Sequence, residues 1–270
     1  MDSVLEKIRQ FTHDQYSDEN RLEARIQIYR FCEYNTNWHQ WVFDNLDFRN
    51  VINVLELGCG NGALWEENIH KLPRDVSIIL SDISEGMVDS ARNTLSGYDS
   101  RFQFRVADAC QTPFHGSTFQ MVIANHMLYH IDRNKRIFME ISRLLTDNGF
   151  AYASTPSMKN LQELMKLAIG FSNSLEFDNE IIQSFNLENG EEVISDYFTV
   201  VEKSVYQNDV IIETSDPLLL YLASIYEGKQ LDIYVEKLDE FKSYLESVIK
   251  ITGEIRITNR GVLFKFRRKL

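Results

Sequence analysis

Between Val51 and Thr155 the chain alternates short apolar runs with longer amphipathic stretches. The runs are Val51 to Leu57, Val76 to Leu80, Phe102 to Val106, Phe119 to Ala124 and Gly149 to Ser154. Runs of this length bounded by turn residues read as buried strands, and their alternation with helical periodicity predicts successive βα units and a parallel sheet. The clearest crossover helix spans Asp132 to Thr146. There Ile137, Phe138, Ile141, Leu144 and Leu145 make one apolar face, and Asn148-Gly149 stops it.

Ahead of this block, Asp18 to Asp44 keeps a 3.6-residue spacing through Leu22, Ile26, Tyr29 and Cys32 or Glu33, with Asp18 placed as a cap, and predicts a helical, aromatic-rich N-terminal part. Beyond it, residues 156–196 break the rhythm. A helix through Leu161, Leu164, Met165 and Ala168 and a second around Asp178 to Asn186 predict an insertion over the functional edge of the sheet. Tyr197 to Tyr206, Val210 to Thr214 and Val262 to Phe266 read as strands that complete the sheet, and Pro217 to Tyr226 and Leu231 to Ile249 as helices. The expected fold class is α/β, a Rossmann-like, doubly wound, mostly parallel seven-stranded sheet with N-terminal helices and a helical insertion after the fifth strand. Its expected division is an N-terminal helical lid (1–50), a binding core (51–155), a helical cover (156–196) and a C-terminal completion of the sheet (197–270).

A chain of 270 residues with 44% hydrophobic positions has ample material for a packed core. No apolar run approaches the roughly 20 residues that cross a bilayer, and Met1 to Lys7 lacks a basic-then-apolar signal pattern, so a cytoplasmic protein without membrane insertion is expected. Cys32, Cys59 and Cys110 are odd in number and without C-x-x-C spacing, which points away from a disulfide framework and from a zinc site. A formal charge of −12 repels polyanions, and the one basic cluster, Lys265, Arg267, Arg268 and Lys269, sits at the C-terminal end. Nucleic acid is not an expected partner.

The chemistry concentrates at the exits of the predicted strands. Val54 to Leu57 runs into Gly58-Cys59-Gly60-Asn61-Gly62, where glycines let backbone approach a ligand without a Cβ clash. Gly58, Gly60 and Ala63 also satisfy the dinucleotide fingerprint G-x-G-x-x-G/A, so this turn alone leaves NAD open. The second strand ends in Ser81-Asp82, about 20 residues past the glycines, where a carboxylate would receive a ribose diol; Asp82 also reads as a cap for a helix from Ser84. Phe102 to Val106 delivers Asp108, and Phe119 to Ala124 delivers Asn125, which meets the glycine turn if the strand order reverses between these units. NAD is disfavoured because Glu66 and Glu67 follow the turn where a pyrophosphate wants positive charge, and Glu56 would repel it.

With four such positions in order, the chain resembles the class I S-adenosylmethionine-dependent methyltransferases, in the small-molecule branch that includes the ubiquinone and menaquinone C-methyltransferases. The likeness covers roughly Val51 to Thr155. It implies that S-adenosylmethionine is the cofactor, that Gly58, Cys59 and Gly60 pass along its methionine and ribose, and that Glu56 supports its amino group. It further implies that Asp82 holds the ribose hydroxyls, Ile83 and Met87 pack on the adenine, Asp108 and the Ala109 amide read the adenine edge, and Asn125 offers its carbonyl to the ammonium. The region around Tyr34, Trp38 and Trp41 is a lid in such proteins. Aromatic faces there would attract a sulfonium by about 0.5–2 kcal/mol each, and the tryptophans serve equally as staples between helices and sheet.

His126-Met127-Leu128-Tyr129-His130 carries histidines at i and i+4, but Met127 breaks the H-E-x-x-H metal pattern. The resemblance places His130 near the reacting methyl as a candidate base, against the plain reading of a histidine at a helix start. His126, Tyr34 and Trp38 are the candidate acceptor contacts. The absence of an Asn/Asp-Pro-Pro-Tyr motif after the fourth strand disfavours base and glutamine amide nitrogens as acceptors. The expected function is therefore methyl transfer to an oxygen, nitrogen or carbon of a small molecule, leaving S-adenosylhomocysteine. The alternatives are a non-catalytic S-adenosylmethionine-binding sensor or partner subunit and an NAD-binding Rossmann enzyme.

Overall fold

The computed structural model describes residues 4, 5, 8, 18–98, 101–131, 135–177 and 179–269, without the side chains of 18–20, 22 and 23. The capping side chain expected of Asp18, the helical contact of Leu22 and the helix starts at Asp132 and Asp178 lie outside the described residues. In chain order the helices are α1 (Asp18–Gln27), α2 (Trp38–Asp44), α3 (Ala63–Glu66), α4 (Glu85–Thr94), α5 (Lys135–Leu144), α6 (Gln162–Phe171), α7 (Gly190–Ser195), α8 (Asp216–Ile225), α9 (Gly228–Glu236) and α10 (Leu238–Thr252). The strands are β1 (Asn53–Leu57), β2 (Ser77–Asp82), β3 (Phe102–Val106), β4 (Phe119–Asn125), β5 (Leu145–Pro156), β6 (Phe198–Gln207), β7 (Val210–Ile212), β8 (Ile255–Ile257) and β9 (Arg260–Arg268).

The chain packs as two units. One comprises residues 36–158, 179–206 and 261–270, and the other residues 1–35, 159–178 and 207–260. The expected cover at 156–196 is thus shared between them, and 207–260 leaves the block expected to complete the sheet.

The first of these units holds a seven-stranded sheet in the order β3-β2-β1-β4-β5-β9-β6. Pairs from β3 through β5 are parallel, and β9 runs antiparallel to β5. Its central strands are buried on both faces, which is why Val54, Leu55 and Leu57 in β1 and Val122, Ile123 and Ala124 in β4 read as largely apolar runs. On one face, α5 packs through Ile137, Phe138, Ile141 and Leu144, each fully buried and worth about 1.5–3 kcal/mol of apolar burial. That helix ends earlier than expected: Leu145 opens β5, and Gly149 lies inside the strand, where a Cβ would come 3.0 Å from the Phe119 carbonyl oxygen. Because β1 pairs with β2 on one side and β4 on the other, the strand order reverses there. Open α/β sheets bind ligands in the crevice at such a switch point.

The other unit is helical, with α6, α8, α9 and α10 around a core that includes Leu164, Ala168, Leu218, Leu222, Phe241 and Leu245. Its small sheet corrects one expectation. Val210–Ile212 pairs antiparallel with Ile255–Ile257 rather than completing the main sheet.

Three predicted helices also break. The N-terminal one ends as a 3-10 turn at Ile28–Phe31, Cys32 bridges to Val210, and Glu33 N–H donates to the Asp209 carbonyl at 2.9 Å. A new helix then starts at α2, where the Asn37 side chain accepts from Gln40 N–H, so Asn37 is an N-cap inside the periodic stretch. Leu231 to Ile249 divides at Lys237, whose backbone (φ −97°, ψ 6°) leaves the helical region between α9 and α10. The described residues from 179 to 186 form a 3-10 turn, Glu180–Ile182, rather than an α-helix.

Candidate active site

The glycine-rich turn after β1 needs left-handed backbone at three points, with φ of 67° at Gly58, 54° at Gly60 and 79° at Gly62. A side chain at Gly58 would strike Met127, 2.9 Å from its Cβ, whereas a Cβ at Gly60 would meet nothing within 4 Å. The turn is therefore packed on its inner side and open at Gly60, as a backbone cradle for a ligand must be. Its position is set by β2: Cys59 N–H donates to the Ser81 carbonyl at 2.9 Å, and Gly60 N–H donates to Asp82 Oδ2 at 3.0 Å.

Asp82 accepts a second bond, from Ser84 N–H to Oδ1 at 2.9 Å. This carboxylate ties the glycine turn to the start of α4 and keeps remaining lone pairs at the sheet edge. The helix cap proper is Ser84, which accepts from Met87 N–H. Just beyond, Ile83 and Met87 are 73% and 37% exposed. Two apolar side chains left in the open beside a carboxylate suit a flat ligand ring.

At the exit of β3, Asp108 is exposed and organises a tight turn by accepting from Cys110 N–H at 2.8 Å, with Ala109 inside that turn. At the exit of β4, Asn125 uses its side-chain oxygen twice, accepting from Trp38 Nε1 at 3.2 Å and from Ser154 Oγ at 2.5 Å. Those bonds occupy its lone pairs.

Glu56 sits in β1, next to its last residue. It is 1% exposed, and its carboxyl accepts from Trp65 Nε1 at 2.5 Å inside the protein. Burial, opposed by the Trp65 bond and reinforced by the neighbouring charge of Asp82, raises its pKa from the ordinary 4.5 to about 8. The fold thus holds the protonated form. Stability carried by this group is complete below about 4.5 and falls as pH rises towards about 8, because the unfolded carboxyl ionises first. Glu56→Gln is expected to flatten that alkaline decline, seen as urea midpoints that no longer drop between pH 5 and 8; an unchanged slope would assign the decline elsewhere.

His126 and His130 follow Asn125. His126 adopts a left-handed φ of 53° and donates its backbone N–H to Ser154 Oγ at 3.0 Å. Its ring lies 4.5 Å from Trp38 and 6.2 Å from Tyr129, and burial with the nearby His39 and His130 lowers its pKa to about 3. His130 closes a 3-10 turn, Leu128–His130, so the two histidines do not share a helix face. It lies 4.5 Å from the Tyr129 ring and lines a cavity of about 590 Å³ with Tyr129, Glu180, Ile181, Gln183 and Ser184. Burial lowers its pKa.

Trp38 also packs against Trp41 and Tyr206, at 5.3 and 5.2 Å. Tyr34, by contrast, belongs to the helical unit and is 62% exposed, its N–H on Asn208 Oδ1. Sequence reasoning missed Trp65, Ser154 and Met127. Ser154 had a usable signal, since a parallel partner of β4 places it opposite Asn125; Trp65 and Met127 had none beyond proximity to the turn.

Residues 54–149 match the family described as Methyltransferase domain. A malonyl-[acyl-carrier protein] O-methyltransferase of Legionella pneumophila is 25% identical over 183 residues, 67% of this chain and 63% of that protein. A demethylmenaquinone methyltransferase of Symbiobacterium thermophilum is 28% identical over 114 residues, 42% of this chain and 45% of that protein. The matches thus span less than two thirds of these relatives' own length. Among solved structures, a Haemonchus contortus phosphoethanolamine N-methyltransferase 2, bound there to phosphomonomethylethanolamine and S-adenosylhomocysteine, superposes with a TM-score of 0.53 at 18% identity, covering 97% of this chain and 60% of that one. The glycine turn and the switch point at which it sits fall within residues 54–149, the stretch that carries the match to the methyltransferase domain.

Proposed function

We propose that this protein transfers the methyl group of S-adenosylmethionine to an oxygen, nitrogen or carbon nucleophile of a small-molecule acceptor. The observation that carries the reading is the Asp82 carboxylate, tied to Gly60 and Ser84 at the switch-point edge of the sheet. The open cradle at Gly60 and the exposed Ile83 and Met87 fit the cofactor's ribose and adenine.

When bound, the cofactor supplies a methyl group on a positively charged sulfur. The chain's own tasks are then to hold, align and deprotonate. Asp82 accepts from the ribose hydroxyls, Asp108 and the Ala109 N–H read the adenine edge, and the Asn125 main-chain carbonyl accepts from the ammonium. His130 stands at the cavity with Tyr129, Glu180 and Ser184, where a neutral imidazole takes the proton of an attacking hydroxyl or amine. Residues 180–184 come from the segment expected to cover the acceptor, which supports that part of the reading. Among the described residues no helix is long and apolar enough to cross a membrane.

Purified protein incubated with S-adenosylmethionine and a panel of hydroxyl, amine and carbon acceptors is expected to form S-adenosylhomocysteine with at least one of them. Tight cofactor binding with no product from any acceptor or cell extract would replace the transferase reading by that of a sensor or partner subunit.

A further inference from the structure

The basic cluster Lys265, Arg267, Arg268 and Lys269 has no part in the reaction above. The sheet unit gathers it at the edge opposite the glycine turn. β9 runs antiparallel to β5, pairing Lys265 with Tyr152 and Phe266 with Ala151, so the end of β9 lies beside the start of β5. There Arg267, Arg268 and Lys269 meet Arg49, from the loop before β1, around a cavity of about 700 Å³. Gln120 in β4 and Thr146 and Asn148 in β5 add neutral polar groups to its wall. That volume lies within the roughly 300–1,000 Å³ of small-molecule sites. The cofactor positions stand at the carboxyl ends of the parallel strands and this cavity at their amino ends, so the two are separate.

In a chain of formal charge −12, the balance of charge is reversed here. Among the described residues that line the cavity, the four cations Arg49, Arg267, Arg268 and Lys269 stand against two carboxylates, Asp47 and Asp147. Asp47 is already taken up. Arg49 holds both of its oxygens, Nε on Oδ1 at 2.8 Å and Nη2 on Oδ2 at 2.7 Å, and Lys265 Nζ donates to Oδ2 at 3.1 Å. Lys265 is thus a fifth cation behind the wall, fixed with its ammonium 4.5 Å from the centre of the Phe150 ring. Asp147 pairs with Arg268 at 2.7 Å, but its side chain is 94% exposed, and an ion pair in open water contributes little. Arg268 can therefore exchange it for a ligand. Lys269 donates to the main-chain carbonyl of Asp196 and keeps two further N–H donors. The Arg267 side chain spends no N–H on the described residues.

Guanidinium forks and an ammonium around a concave space match phosphate oxygens, each of which accepts several N–H donors. We propose that this cavity is a second ligand site, and that its ligand is a phosphorylated small molecule carrying at least two negative charges. The site stands independently of the transferase reading.

Binding is measured by calorimetry at low ionic strength on the full chain saturated with S-adenosylhomocysteine, which keeps the probes off the cofactor site. The probes are pyrophosphate, fructose 1,6-bisphosphate and ADP, with fructose and adenosine as uncharged controls. Arg267→Gln/Arg268→Gln removes two cations from the wall, and Arg267→Gln alone loses no side-chain partner among the described residues. Lys229→Gln/Lys250→Gln removes the same charge from exposed positions of the helical unit. Melting midpoints check that each variant folds. At least one phosphorylated probe is expected to bind, and neither uncharged one. Affinity is expected to fall at least about tenfold in the double arginine variant, the loss of a charge-assisted hydrogen bond, and to stay within about threefold of wild type in the lysine variant. Affinity for S-adenosylhomocysteine is expected to stay the same throughout. No binding of any phosphorylated probe, equal binding by wild type and the double arginine variant, or an equal loss in the lysine variant would overturn the proposal. Binding to phosphatidylserine vesicles without binding of any soluble probe would overturn it in favour of a membrane surface.

Discussion

Asp82→Ala is expected to weaken S-adenosylmethionine binding by about 1.5–3 kcal/mol, the usual loss for a hydrogen bond to a charged group and roughly ten- to a hundredfold in Kd. The carboxylate does two things at once. It accepts from Gly60 and Ser84, which shapes the turn, and its remaining lone pairs face the position assigned to the ribose. Asp82→Asn is expected to recover only part of the loss. An amide has a single acceptor oxygen, so its NH2 would oppose either the Gly60 or the Ser84 N–H. Isothermal calorimetry on folded protein decides the matter: unchanged affinity in the alanine variant would remove Asp82 from the site.

The second large effect concerns His130. If it takes the acceptor's proton, His130→Ala lowers turnover by about 10²-fold or more while leaving cofactor affinity intact. The pH dependence carries a sign. Burial lowers the His130 pKa below the ordinary 6.5, so its neutral, proton-accepting form persists further into acid. The acid limb of kcat in the wild type is therefore expected below pH 6.5, with a plateau through neutrality, and is expected to vanish in the variant. A variant with the wild-type profile would return His130 to a structural role beside Tyr129. An acceptor that reacts at carbon, with no proton to lose before transfer, would also show no such limb, so the profile is best measured with the oxygen or nitrogen acceptor that turns over fastest.

Both predictions lean on residues whose positions were readable from local pattern. Of the five strands between Val51 and Thr155, the central ones were legible because parallel strands buried on both faces are largely apolar, and β3 because Phe102, Phe104 and Val106 alternate with polar residues. Their exits, and so Asp82, Asp108 and Asn125, followed from where each run stops. The N-terminal helix was misread for the opposite reason. Its 3.6-residue spacing continues to Asp44, but Glu33 finds a backbone partner in Asp209 and Asn37 caps a fresh helix. A strand partner 176 positions away in the chain leaves no local trace.

The sequence by itself determined the sheet's central strands, the glycine turn and the order in which polar side chains arrive at the strand ends, because each is written in a short stretch of backbone preference and burial. Only the tertiary structure decided which of those side chains are committed and which are available. Trp65 claims Glu56, while Ser154 and Trp38 claim the Asn125 side chain; Asp82 is shared between the turn and the site. The His126 ring stands between those of Trp38 and Tyr129. The physical reason is that hydrogen-bond satisfaction is settled by residues distant in sequence that packing brings within about 3 Å, a distance that no pattern along a single chain records.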